Sequence, residues 1–174
     1  PRWCAYFFEN GGHEALLTLL KNHNKSKRVM PTATHSCSTI MKTLAQKTDL
    51  SEFRLDQDII QQVREHLSEA TKVIVTATWL NSGGDLLSRL ILRNTLTMIK
   101  NAAKYGLNDE LEETKAVQLL VGALKKYDTN VRMLTKGLKA LYSIATSDKA
   151  TDPAFVKICL PEIQYVLHTH NKVH

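Results

Sequence analysis

One apolar register recurs along this chain of 174 residues and limits what it can fold into. Positions i, i+3 and i+7 are filled in four stretches: His13, Leu16 and Leu20; Ile60, Val63 and Leu67; Val117, Leu120 and Leu124; Leu160, Ile163 and Leu167. Steps of three and four put the members of each set on one face of an α-helix, which turns once every ~3.6 residues. The first members lie 47, 57 and 43 residues apart. Two of these offsets match the roughly 40–47 residues of a helical repeat unit, and the third is lengthened by a long helix before Asn81. Residues 114–173 form the best-defined unit, a short helix, a helix, a turn and a further helix.

Start and stop signals divide the rest of the chain. The run Trp3-Cys-Ala-Tyr-Phe-Phe8 ends at Asn10-Gly-Gly12, which predicts the last turns of a helix with a glycine stop. Residues 13–23 predict a helix with Leu16, Leu17, Leu19 and Leu20 as its apolar stripe, and 24–28 a basic turn. Residues 29–46 follow as a helix carrying Ala33, Cys37, Ile40, Met41 and Leu44, with Pro31 tolerated in the first turn. Asp49-Leu-Ser-Glu52 has the form of a capping box and predicts a short helix at Leu50. A longer helix runs from Asp56 or Asp58 to about Leu80, although the β-branched cluster at 73–78 also suits an extended segment. After Asn81-Ser-Gly-Gly84, Asp85 caps a helix over 86–105 that Gly106 stops. An acidic short helix at 109–113, helices over 115–124 and 131–145, and a start at Asp152-Pro153 complete the chain, with a frayed tail at 169–174.

Two passages carry a family resemblance. Gly11-Gly12 before a leucine-rich helix is similar to the glycine turn between the short first and long second helices of armadillo repeats. Asp152-Pro-Ala-Phe-Val-Lys-Ile-Cys-Leu-Pro-Glu-Ile-Gln-Tyr-Val-Leu167 resembles the same pattern, a short helix, a kink and a further helix. The glycine is missing before Ile59 and before Val117, so HEAT-like units also fit. The resemblance implies an all-α, right-handed α-solenoid of armadillo or HEAT type, with about three repeats plus partial end units. As one domain over 1–174, its units are 1–47, 48–107, 108–151 and 152–174. The alternative is a helical bundle without repeats, in which the leucines are simply core.

Composition agrees with a helical globular chain: 43% hydrophobic, 23% charged, and only four prolines and seven glycines. No run of about 18 apolar residues is long enough to span a bilayer. Cys4, Cys37 and Cys159 are odd in number and form no CxxC pair, which disfavours a disulfide framework or a zinc ribbon. Buried, reduced thiols point to a cytoplasmic setting, with the nucleus as the alternative. A start at Pro1 without methionine suits a domain cut from a longer protein.

No catalytic constellation is expected, and no cofactor or metal. His168, His170 and His174 fall at the chain end, and His35 and Cys37 are two apart, on different helix faces. Ser82-Gly-Gly-Asp85 precedes a helix without the lysine of a P-loop. The net charge of +6 suits an acidic protein surface, nucleic acid or an anionic membrane. By the resemblance, the functional surface is the concave face lined by the last helix of each repeat. There it carries Lys42, Arg93, Lys100, Asn101, Lys104, Lys136 and Lys139. Lys42 and Lys100 match when Leu44 is set against Ala102. The implied role is a protein-binding scaffold that holds an acidic or amphipathic segment of a partner. The repeated Trp and Asn pairs of importin-like armadillo proteins are absent from these helices. The alternatives are a nucleic-acid-binding helical domain and a TOG- or VHS-like cytoskeletal or trafficking adaptor. Trp3, Tyr6, Phe7 and Phe8 are candidates for contacts, including self-association, at an end face.

Overall fold

The computed structural model describes residues 2–46 and 55–147, together with positions 160, 161, 164, 165 and 168. Eight helices lie in the two long segments: α1 (Arg2–Glu9), α2 (Gly12–His23), α3 (Met30–Ala45), α4 (Gln57–Leu80), α5 (Leu86–Tyr105), α6 (Asn108–Glu113), α7 (Ala116–Lys126) and α8 (Val131–Ala145). Among the described residues there is no strand, and the fold is all-helical. The short helix expected at Leu50, the Asp152-Pro153 start and the boundaries near 47 and 151 fall outside the described residues. So does most of the last unit.

Local chemistry explains the ends of the central helix. The Asp85 side chain accepts from the Ser88 backbone N–H at 2.9 Å and from the Ser88 hydroxyl at 2.8 Å, capping α5. The Lys27 ammonium bonds the same carboxylate at 2.6 Å and is the largest reason why its pKa lies well below the usual carboxylate range. At the other end Gly106 takes φ 90°, and the next amide, Leu107 N–H, returns to the Ala102 carbonyl. The β-branched stretch at 73–78 is helical. Thr71 and Thr78 satisfy their buried hydroxyls on the carbonyls four residues back, at 2.8 Å each.

The two helices that follow a short helix begin with the same left-handed backbone. Gly11, before α2, has φ 69°, and Lys115, before α7, has φ 56°. The sequence has a glycine only at the first of these turns. The second keeps the geometry with a lysine, at the steric cost that a Cβ meets there. Lys115→Gly is expected to stabilise the fold by up to about 1 kcal/mol, since relief of that clash outweighs the extra freedom of the unfolded chain. Urea denaturation gives the sign.

Packing places α5 between α3 and α8, while α2 lies against α4, α4 also meets α5 and α6, and α7 pairs with α8. The core runs through Leu20, Met30, Cys37 and Met41, through Ile74, Ile91, Leu96, Met98 and Ile99, to Leu120, Leu134 and Leu141. Full burial of each large side chain stabilises by roughly 1.5–3 kcal/mol. Within that core the α3–α5 contact is bracketed by two asparagines. Asn94 donates to the Pro31 carbonyl at 2.8 Å, and Asn101 donates to the Ser38 carbonyl at 2.8 Å and to the Ser38 hydroxyl oxygen at 3.0 Å. Both brackets join positions 63 residues apart, so they fix one register between the helices. A buried pair, Thr78 and Thr95, links α4 to α5 at 2.8 Å.

Asn101 is 3% exposed, so its amide has no other partner to turn to. Asn101→Ala leaves the Ser38 groups with fewer donors and is expected to cost about 1–3 kcal/mol in urea denaturation. Asn94→Ala, at a half-buried position, is expected to cost less.

A cationic face on α3, α5 and α8

The three adjacent helices α3, α5 and α8 contain eight lysines and arginines and no aspartate or glutamate. All 17 acidic residues of the chain lie elsewhere. Helical spacing then gathers the cations. Arg93, Lys100 and Lys104 follow one another at steps of seven and four on α5, while Arg132, Lys136 and Lys139 step by four and three on α8. Lys42 stands near the C-terminal end of α3.

Lys100 sits at the meeting point. Burial lowers its pKa first, and the ammonium groups of Lys104, Lys136, Lys42 and Lys139 lower it further. Lys136 is lowered by burial, then by Arg93 and Lys139. Its Nζ donates to the Thr97 hydroxyl oxygen at 2.6 Å across the α5–α8 contact. Arg93, Thr97, Lys100, Arg132, Thr135, Lys136 and Lys139, with Val131, line a cleft of about 360 Å³ between the two helices. Elsewhere three lysines pair with carboxylates: Lys21 with Glu69 at 3.3 Å, Lys27 with Asp85 at 2.6 Å and Lys72 with Glu113 at 2.6 Å. Among the described residues no carboxylate serves the cleft in this way.

The structure thus brings together Lys42, Arg93, Lys100, Lys104, Lys136 and Lys139 from the candidate groove. Asn101 does not join them. It is turned into the α3–α5 contact and holds Ser38, because a buried amide needs its hydrogen bonds inside the fold. Arg132, Thr97 and Thr135 join the cleft, although none was among the sequence candidates. The lack of acid in three separate helices was the available signal for such a face.

The aromatic end divides as well. Trp3 and Tyr6 are exposed, at 55% and 69%, and Phe7 is half-buried, but Phe8 is buried against Phe7 and His13. Trp3 and Phe7 line a separate, apolar cleft of about 640 Å³ with residues of α2 and α3. His13 in turn lies 4.9 Å from the His66 ring, and burial, followed by the charge of His66, lowers its pKa while Glu14 opposes.

The other candidates for chemistry are accounted for locally. Burial pushes the Cys37 thiol up to about 12, so it is held as a thiol within the core. The anion-attracting start of α5 is occupied by the chain's own Asp85 carboxylate. Among the described residues no helix is long and apolar enough to cross a membrane. No family model, curated protein or solved structure matches the chain.

Five like charges on one patch repel one another, and the fold bears that repulsion. Lys100→Met is therefore expected to raise stability by a few tenths of a kcal/mol at low salt, a small effect because water screens half-exposed charges. The gain should shrink as salt is added, since screening already relieves the wild type. Thermal melts of both proteins at low and high salt give the comparison.

Proposed function

We propose that the chain is an armadillo- or HEAT-type α-solenoid that acts without catalysis as a protein-interaction scaffold. On this reading α3, α5 and α8 are the last helices of successive units, and their shared face holds an acidic segment of a partner, extended or helical. The observation that carries the reading is the absence of any acidic residue from these three adjacent helices, which between them carry eight basic ones. The packing of α5 between α3 and α8 supports it, as do the matching left-handed starts of α2 and α7. Opposite charge along such a face speeds encounter and rejects basic partners, while apolar contacts supply most of the affinity. A cytoplasmic setting, with the nucleus as the alternative, goes with this role.

Lys42 and Lys139 are exposed, so reversing them leaves the core untouched. An acidic fifteen-residue peptide is expected to bind the wild type in fluorescence anisotropy and to weaken on Lys42→Glu with Lys139→Glu by about tenfold or more. Equal binding by the double variant sinks the reading. Tighter binding of random-sequence single-stranded DNA than of the peptide, with a steep salt dependence, would replace it with the nucleic-acid alternative.

A further inference from the structure

The cleft between α5 and α8 is more strongly charged than a groove for carboxylates alone requires. Arg93, Lys100, Arg132, Lys136 and Lys139 share about 360 Å³ of space with no carboxylate among the lining residues. An aspartate or glutamate side chain brings one negative charge, whereas a phosphoryl group brings nearly two and three acceptor oxygens. The donors fit the second case. Lys136 is held by one bond to Thr97, which leaves its remaining N–H groups free to face the cleft. The Thr97 and Thr135 hydroxyls donate to the carbonyls four residues back, at 3.2 and 2.8 Å, and the Thr97 oxygen accepts from Lys136. Arg93 comes from α5 and Arg132 from α8, which places a guanidinium fork on each helix. Neither guanidinium has a hydrogen-bond or carboxylate partner among the described residues. Paired forks are the groups that bind phosphate most specifically.

A second feature separates a peptide from other phosphates. Arg93 and Arg132 also border a neighbouring cleft of about 210 Å³, where Leu86, Leu90 and Met133 supply apolar surface. Leu86 is 72% exposed at its edge. The two arginines thus line both the cationic cleft and this second one, whose lining also includes Arg89 and Asn130.

We propose that this double cleft recognises a phosphorylated serine or threonine in an acidic peptide, with an apolar side chain of the same peptide entering beside Leu86, Leu90 and Met133. The site rests on the acidic-segment reading above and adds a preference for phosphate to it: a kinase acting on the partner strengthens binding.

The test uses a labelled acidic twelve-residue peptide with a central serine flanked by leucines, made with and without phosphate on that serine. The phosphorylated form is expected to bind about tenfold tighter or more, the worth of one or two charge-assisted hydrogen bonds. Arg132→Gln, at an exposed position, should reduce that ratio to below about threefold, with a smaller loss for the unphosphorylated peptide, which keeps the other cations of the face. Arg93→Gln should do the same, provided circular dichroism shows an intact fold. A twelve-residue oligothymidylate should compete poorly with the phosphopeptide. If the acidic peptide binds but phosphate adds less than about twofold, the phosphoryl site is wrong and the acidic groove stands. If only the phosphopeptide binds, the phosphoryl site stands and the acidic-segment reading narrows to phosphorylated segments; if neither binds, both fall. Competition by oligothymidylate as strong as by the phosphopeptide also overturns the proposal, because the cleft would then recognise phosphate of any origin.

Discussion

The fold depends on how α5 is held between its neighbours. A long helix packed on two sides can slide by a turn unless something other than apolar contact fixes it, because leucine, isoleucine and methionine faces look alike at every turn. Asn94 and Asn101, two helical turns apart on α5, each grip a backbone carbonyl of α3. A slip would strand both amides inside the protein, at the full cost of unpaired polar groups. Thr78 and Thr95 do the same between α4 and α5, and Lys136 and Thr97 between α8 and α5. Apolar burial supplies the attraction, and a few polar brackets choose the register.

That register is what assembles the charged face. Lys42, Lys100 and Lys136 come from three helices, and each would point into empty solvent if its helix stood alone. Held in place, Lys100 feels all of Lys104, Lys136, Lys42 and Lys139. The repulsion is tolerated because these charges keep part of their hydration and because the core beneath them is fully closed, with Ile91, Leu96, Met98 and Ile99 at 0% exposure. A fold with a less complete core could not carry such a patch so cheaply.

Much of this was legible in the residues. The bounds of α5 and α8 follow from Asp85, Gly106 and the polar break before Val131, and the structure has both helices over the predicted residues. Local signals suffice there because a capping carboxylate and a left-handed glycine act within one turn of chain. The uncertain stretch at 73–78 was decided by tertiary contact: Ile74, Val75 and Ala77 are buried, and burial outweighs a weak β-preference. Asn101 was misplaced for the opposite reason. A polar residue between two lysines reads as surface, and only its distance to Ser38, 63 positions away, makes it core. Phe8 is similar, since the cover provided by its neighbours cannot be read from six aromatic-rich residues. Most lysines of the cationic face could be picked out in the sequence; Arg132 was not, because its place there comes from lining the same clefts as Arg93.

The ion pairs elsewhere in the chain show that the bare face is not required by the fold, which supports the proposed binding role. Lys21, Lys27 and Lys72 all have carboxylate partners on another helix or loop, at 2.6 to 3.3 Å. The same solution was open on α5 and α8. A glutamate four residues from Lys100 or Lys136 would cost nothing in helix propensity and would add a few tenths of a kcal/mol. Position 104, where such a partner for Lys100 would stand, holds a lysine instead, and so does position 139, three residues after Lys136. Stability therefore rises by easy substitutions that the sequence does not contain. Uncompensated charge concentrated at one cleft is the usual mark of a surface whose neutralising groups arrive with a partner. On the proposed reading the partner would be acidic, and it would lie where α5 holds the three helices in register.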